Sequence, residues 1–164
     1  INNSQKILLK KLLKKINWNN ISNGLNGRFH GDLHFENILY SKKQNKFCLL
    51  DWRQDFGGSV KSGDIYYDLA KLLHGLLVSH EAVTRNKYSI RQHNGKILIN
   101  IKNKKIYKKY LKIFINWLKK NNYDVKKVKI LTGLIFLNIC ALHHFPYSIF
   151  LYYMGKNILI KELH

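Results

Sequence analysis

The sequence predicts an α+β fold, mostly helical, with short β-hairpins. Two kinds of pattern say so. Apolar residues recur at helical spacing in Lys6–Ile16, in Lys104–Lys120 and again beyond Asp124, with lysines filling the gaps. Two other stretches look like paired strands. Ile38–Tyr40 and Phe47–Leu50 flank a polar turn at Ser41–Lys46, and Asn94-Gly95 sits inside an alternating run from Tyr88 to Ile101.

In chain order, the first helix spans Lys6–Ile16 and has Leu8, Leu9, Leu12, Leu13 and Ile16 on one face. Asn17–Gly27 is rich in Asn, Ser and Gly and is expected to be a loop. A second polar loop, Gln54–Gly63, leads to a helix capped by Ser62 or Asp64 that runs to about His80. Leu69, Leu72, Leu73 and Leu76 should be its core face. In the Asn94-Gly95 hairpin a two-residue turn pairs His93 with Lys96, Ile90 with Ile99 and Tyr88 with Ile101. The Lys104–Lys120 helix should bury Tyr107, Tyr110, Leu111, Phe114, Trp117 and Leu118. Asp124 caps a helix that is apolar on most sides from Val128 to Leu142 and is therefore expected to be central. Pro146 suits the first turn of a last helix ending near Leu163.

With 164 residues, 46% of them apolar, the chain is one domain's worth and can build a core. A net charge of +20 has two readings. One is attraction to polyanions, giving a basic nucleic-acid-binding module. The other is the Lys, Asn, Ile, Tyr and Phe set encoded by AT-rich codons. The second is preferred, because the lysines are spread over polar helix faces and form no single block; nucleic acid is thus disfavoured as a partner. Cys48 and Cys140 lie in apolar runs and read as small buried hydrophobes in a reducing, cytoplasmic setting. The longest apolar stretch, Ile130–Leu142, is too short to span a bilayer.

The chemistry concentrates in His30-Gly31-Asp32-Leu33-His34-Phe35-Glu36-Asn37 and in Leu50-Asp51-Trp52. A carboxylate, an amide five residues later and a second carboxylate at the end of a strand suit phosphoryl transfer. Asp32 would orient the attacking hydroxyl and accept its proton, and Asn37 and Asp51 would hold Mg²⁺. The spacing matches the kinase catalytic-loop pattern H-x-D-x-x-x-x-N. A hairpin between Asn37 and Asp51 brings the two metal ligands side by side. Asp55-Phe56-Gly57 spells the same letters as the protein-kinase metal motif, but it lies beyond the strand in a Gly-rich stretch and is rejected as the metal site.

Together with Gly63-Asp64-Ile65-Tyr66-Tyr67-Asp68-Leu69-Ala70, these motifs resemble the small-molecule kinases of the aminoglycoside phosphotransferase and choline kinase superfamily over residues 28 to about 80. The resemblance implies a protein-kinase-like C-terminal lobe with Asp32 as catalytic base and with ATP and Mg²⁺ as cofactors. It implies His30, Asn37 and Asp51 as cofactor-binding residues, the last two as metal ligands, and Asp68 as the anchor of the catalytic loop. His34 stands where protein kinases carry a lysine that touches the transferred phosphate.

Such kinases also have an N-terminal lobe that clamps the nucleotide. Only Ile1–Phe29 precedes the motif here, so residues 1–164 are expected to be the C-terminal lobe alone, a fragment or a subunit whose clamp comes from the same or a partner chain. The expected activity is ATP-dependent phosphorylation of a small-molecule hydroxyl. A sugar or polyol is favoured over choline or an aminoglycoside, since few carboxylates remain for a cationic acceptor and Arg53 follows Asp51-Trp52 where many relatives carry Glu. A non-catalytic kinase-like scaffold is a further alternative, against which three intact site residues argue.

Overall fold

The computed structural model describes residues 8–94 and 96–164. The expected start of the first helix at Lys6 and the glycine of the Asn94-Gly95 turn lie outside the described residues. The chain order is α1 (Leu9–Lys14), α2 (Trp18–Ser22), β1 (Asn26–Gly27), a 3-10 turn at Phe35–Asn37, β2 (Ile38–Ser41), β3 (Lys46–Leu49), β4 (Gly63–Asp64), α3 (Ile65–Leu77), α4 (His80–Thr84), β5 (Tyr88–His93), β6 (Lys96–Ile101), α5 (Lys105–Lys120), α6 (Val125–Ile139), a second 3-10 turn at Cys140–Leu142 and α7 (Tyr147–Leu163). The strands form three antiparallel pairs, β1 with β4, β2 with β3 and β5 with β6.

Helix α6 is the hub. Its Val128 and Ile135 join Leu69, Ala70 and Leu73 of α3 and Leu118 of α5 in one cluster. Ile130 meets Leu12, Ile16, Ile21 and Leu159 in a second. Phe136 meets Val78, Phe150 and Leu151 in a third. A helix apolar on most sides can serve three clusters at once. Helices α6 and α7 approach so closely that a Cβ on Gly155 would lie 2.6 Å from the Gly133 carbonyl oxygen; only glycine permits that crossing. The Thr132 hydroxyl lies 2.8 Å from the Val128 carbonyl and 3.2 Å from that of Ala70, fastening α6 to α3. The Asp124 side chain accepts from Lys127 N at the start of α6, as its cap.

The β5–β6 register pairs Tyr88 with Ile101, Ile90 with Ile99 and His93 with Lys96, as the turn chemistry requires. Its Tyr88, Ile90, Ile99 and Ile101 pack on the third cluster.

Several expectations need correction. The Asn17–Gly27 loop contains α2, capped by the Asn17 side chain accepting from Asn20 N, and β1, whose Asn26 and Gly27 pair with the distant Asp64 and Gly63. The helix expected to reach His80 stops at Leu77, because Ser79 caps a separate α4 by accepting from Ala82 N. Of the α5 residues expected in the core, only Leu118 is buried, while Tyr110 and Trp117 are nearly half exposed. Periodicity located the apolar face of α5, but nothing in the described chain covers its outer edge. Cys48 is exposed, since among the described residues no layer covers the β2–β3 ribbon, and Cys140 is half-buried. Among the described residues no helix is long and apolar enough to cross a membrane.

Candidate active site

The loop from His30 to Asn37 is held from below by α3. Asp64 caps this helix by accepting from Tyr66 N at 3.0 Å, and Asp68, one turn in, is buried. Its Oδ2 accepts from His30 N at 2.6 Å and its Oδ1 from Gly31 N at 2.8 Å. A buried carboxylate demands such donors. Gly31 makes the sharp turn possible. Its φ is +80°, and a Cβ there would lie 2.7 Å from Arg53 Cβ.

The loop is also tied to the segment that follows β3. Leu50 N donates to the Asn37 carbonyl and Arg53 N to the His30 carbonyl, each at 2.9 Å. With Ile38 paired to Leu49, these two bonds bracket Asp51 against the loop. Asp51 has a left-handed φ of +53°, uncommon for a non-glycine residue. Its carboxylate is exposed and has no hydrogen bond or ion pair with a described residue. Asp55 differs, because its Oδ2 accepts from Gly58 N at 2.9 Å within a local turn.

Within the loop, Asn37 is buried and its Nδ2 donates to the Asp32 carbonyl at 3.0 Å. That bond spends the amide nitrogen on the loop and leaves Oδ1 with no described donor. The Asp32 carboxylate has two partners. Lys71 Nζ lies 2.6 Å from Oδ1, and His34 Nε2 lies 3.4 Å from Oδ2. His34 Nδ1 in turn lies 2.9 Å from Glu36 Oε2. Partial burial pushes the Asp32 carboxyl up, but the Lys71 bond and charge, with His34 and Arg53, outweigh this and hold it below its ordinary value.

His30, expected among the cofactor contacts, is placed differently. It is 2% exposed, its ring lies 4.9 Å from that of Trp52, and Asp32 N donates to its Nδ1 at 3.2 Å. It supports the loop from inside, where a bound molecule would not reach it.

The structure thus brings His30, Asp32, His34, Asn37 and Asp68 into one connected network with Asp51 beside it. The sequence reading missed Lys71 and Glu36. A signal for Lys71 existed: Asp68 and Lys71 are the only full charges in α3, and their i,i+3 spacing puts them on one face.

The oxygen donors at Asn37 and Asp51 suit a hard cation. Among the described residues no group of three or more His, Cys, Asp or Glu side chains could hold a metal. An ion here would therefore lean on few protein oxygens, with phosphates and water completing its shell, as Mg²⁺ does. Beside the loop, Phe35 lines an open apolar groove of about 260 Å³ with Leu72, Leu76, Tyr110, Ile113, Phe114 and Trp117.

No curated protein and no solved structure matches this chain. A family model does match. It is described as the phosphotransferase enzyme family, APH, and it covers residues 7–91, which include every site residue discussed above. Because that match takes in just over half of the 164 residues, the chain belongs to the APH phosphotransferase family, whose fold is kinase-like.

Proposed function

We propose that this chain is the catalytic lobe of an ATP-dependent kinase acting on a small-molecule hydroxyl. The observation that carries this is the bond from Asn37 Nδ2 to the Asp32 carbonyl. It ties together Asp32 and Asn37, which stand at opposite ends of one loop, and the Asn37 oxygen has no described donor, which supports reading the two as base and metal ligand. Bound Mg·ATP would supply the phosphoryl group and the charge that neutralises it. Asn37 and Asp51 would hold the ion. Asp32 would align the acceptor hydroxyl and take its proton as the oxygen attacks the γ-phosphorus, the bond from that phosphorus to the bridging oxygen breaking to release ADP.

The acceptor is proposed to be neutral or anionic, a sugar or polyol ahead of choline or an aminoglycoside. Most of the acidic groups are already engaged: Asp64 and Asp124 cap helices, Asp68 holds the loop, and Glu36, Glu81 and Glu162 face His34, Lys104 and Lys129. That leaves no acidic cluster, among the described residues, for a polycation. The groove beside Phe35 offers aromatic surface for the apolar face of a sugar ring. Leu39, Tyr40, Phe47 and Trp52 are about half exposed or more, which supports reading this side as one that a nucleotide-clamping lobe covers.

Transfer of labelled phosphate from ATP to a panel of sugars, polyols, choline and aminoglycosides by the full-length polypeptide tests the assignment. Transfer should vanish in Asp32→Ala and persist in Asp55→Ala. Absence of both transfer and Mg²⁺-dependent thermal stabilisation by ATP would remove the kinase reading.

A further inference from the structure

Lys71 is 9% exposed, and its ammonium meets one carboxylate among the described residues, that of Asp32. Its side chain is only 11% exposed, so the pair differs from the surface ion pairs that contribute little. It stands one turn beyond Asp68 on α3. One helix face therefore grips the loop twice, through its backbone at His30 and Gly31 and through the side chain of its aspartate. The two oxygens of Asp32 have different partners, Lys71 on Oδ1 and His34 near Oδ2. A carboxylate held in this way cannot rotate without giving up one of them.

We propose that Lys71 is a positioning residue for the Asp32 carboxylate, fixing Oδ1 so that Oδ2 faces the acceptor hydroxyl. This rests on the assignment of Asp32 as base. One effect follows from the geometry. The ammonium offsets the carboxylate charge, so an incoming polyphosphate does not meet a bare anion. The charged and titratable groups around Asp32 are Lys71 and His74 from α3, His34 from its own loop and Arg53 from the segment after β3. Of these, His74 has both ring nitrogens buried and its pKa lowered to about 3, so above that pH it does not compete for the carboxylate.

The test uses the full-length polypeptide and the acceptor it phosphorylates. In Lys71→Met kcat should fall by roughly ten- to a hundredfold, the usual result of letting a reacting group drift from its place, while KM for ATP stays near native. Lys71→Arg should recover most of the lost rate. If Lys71→Met does not fold, Lys71→Gln, which keeps a donor to Oδ1 without the charge, is read in its place. Native kcat in the folded variant, with transfer still lost in Asp32→Asn, overturns the positioning role alone. Full transfer by Asp32→Asn overturns the base assignment and this proposal with it.

Discussion

Along β5–β6, Tyr88, Ile90, Ile99 and Ile101 turn one face onto Val78, Phe136, Phe150 and Leu151. Along β2–β3, Leu39, Tyr40 and Phe47 stay 50 to 72% exposed. Both are antiparallel ribbons, yet they are held differently. Burial along its length anchors β5–β6 as part of the core. The β2–β3 ribbon is held at its root, where Ile38 pairs with Leu49 and Leu50 N donates to the Asn37 carbonyl. A ribbon fastened at the root can aim the residues there, Asn37 and Asp51, without spending them on packing. One hairpin should therefore govern stability and the other activity.

The largest effect should come from beneath β5–β6. Phe150 is fully buried, so Phe150→Ala should cost about 3–5 kcal/mol in denaturant unfolding while the transfer rate per folded molecule stays near native. At the root of β2–β3 the reverse is expected. Asp51→Asn should lower transfer by roughly 10²–10³-fold, because on the proposed assignment it removes a metal ligand and with it several kcal/mol of charge stabilisation. The thermal midpoint should hold, because the Asp51 carboxylate has no described partner and Asn tolerates its φ of +53°. A midpoint that falls along with the rate would erase the proposed division between the hairpins.

Asp68→Ala should damage both properties. Two buried N–H groups lose their acceptor, at about 2–3 kcal/mol in all, and the loop that leads into β2 loosens. Equal unfolding midpoints for Asp68→Ala and the native chain would show that the loop does not need α3.

His74 sharpens the contrast through pH. Its ring lies 4.5 Å from Phe136, within the cluster supporting β5–β6. Burial first, then the charge of Lys71, lowers its pKa from 6.5 to about 3. The unfolded chain binds a proton below pH 6.5 that the folded chain refuses until about pH 3. Stability therefore falls as the pH drops through that window, by at most about 1.4 kcal/mol per pH unit, and is unaffected above it. His74→Leu should flatten that part of the stability curve; an unchanged slope would show that His74 is protonated in the fold.

The smallest effect belongs to the exposed face. Phe47→Ser, at a residue 72% exposed, should change the stability of the described chain by less than about 0.5 kcal/mol, measured by thermal unfolding. A larger loss would mean that β2–β3 is buried after all.

Legibility followed the range of the interaction. The β5–β6 register was readable because turn chemistry and alternation are local. So were the Asp32–Asn37 spacing, the place of Asp51 at a strand end and the centrality of α6. Buried faces were less legible. The apolar stripe of α5 was visible, but whether Tyr110 and Trp117 would be covered depends on neighbours that periodicity does not specify. Short α2 and the two-residue β1–β4 pair were missed, since a five-residue helix has almost no period and the strand partners are far apart in sequence.

Adjacent residues share dihedral and spacing constraints, so the amino-acid order alone determined which groups lie on one loop, one ribbon or one helix face. That placed an acid, an amide and a second acid on one loop and the hairpin that follows it, the pattern on which the proposed function rests. Contacts across long separations have no local trace, and only the folded chain decided them. Lys71 reaches Asp32 across 39 positions, and His30 turns inward under Trp52. These depend on how α3 seats beneath the loop, which is set by the summed packing of three clusters on α6 and by no residue taken singly.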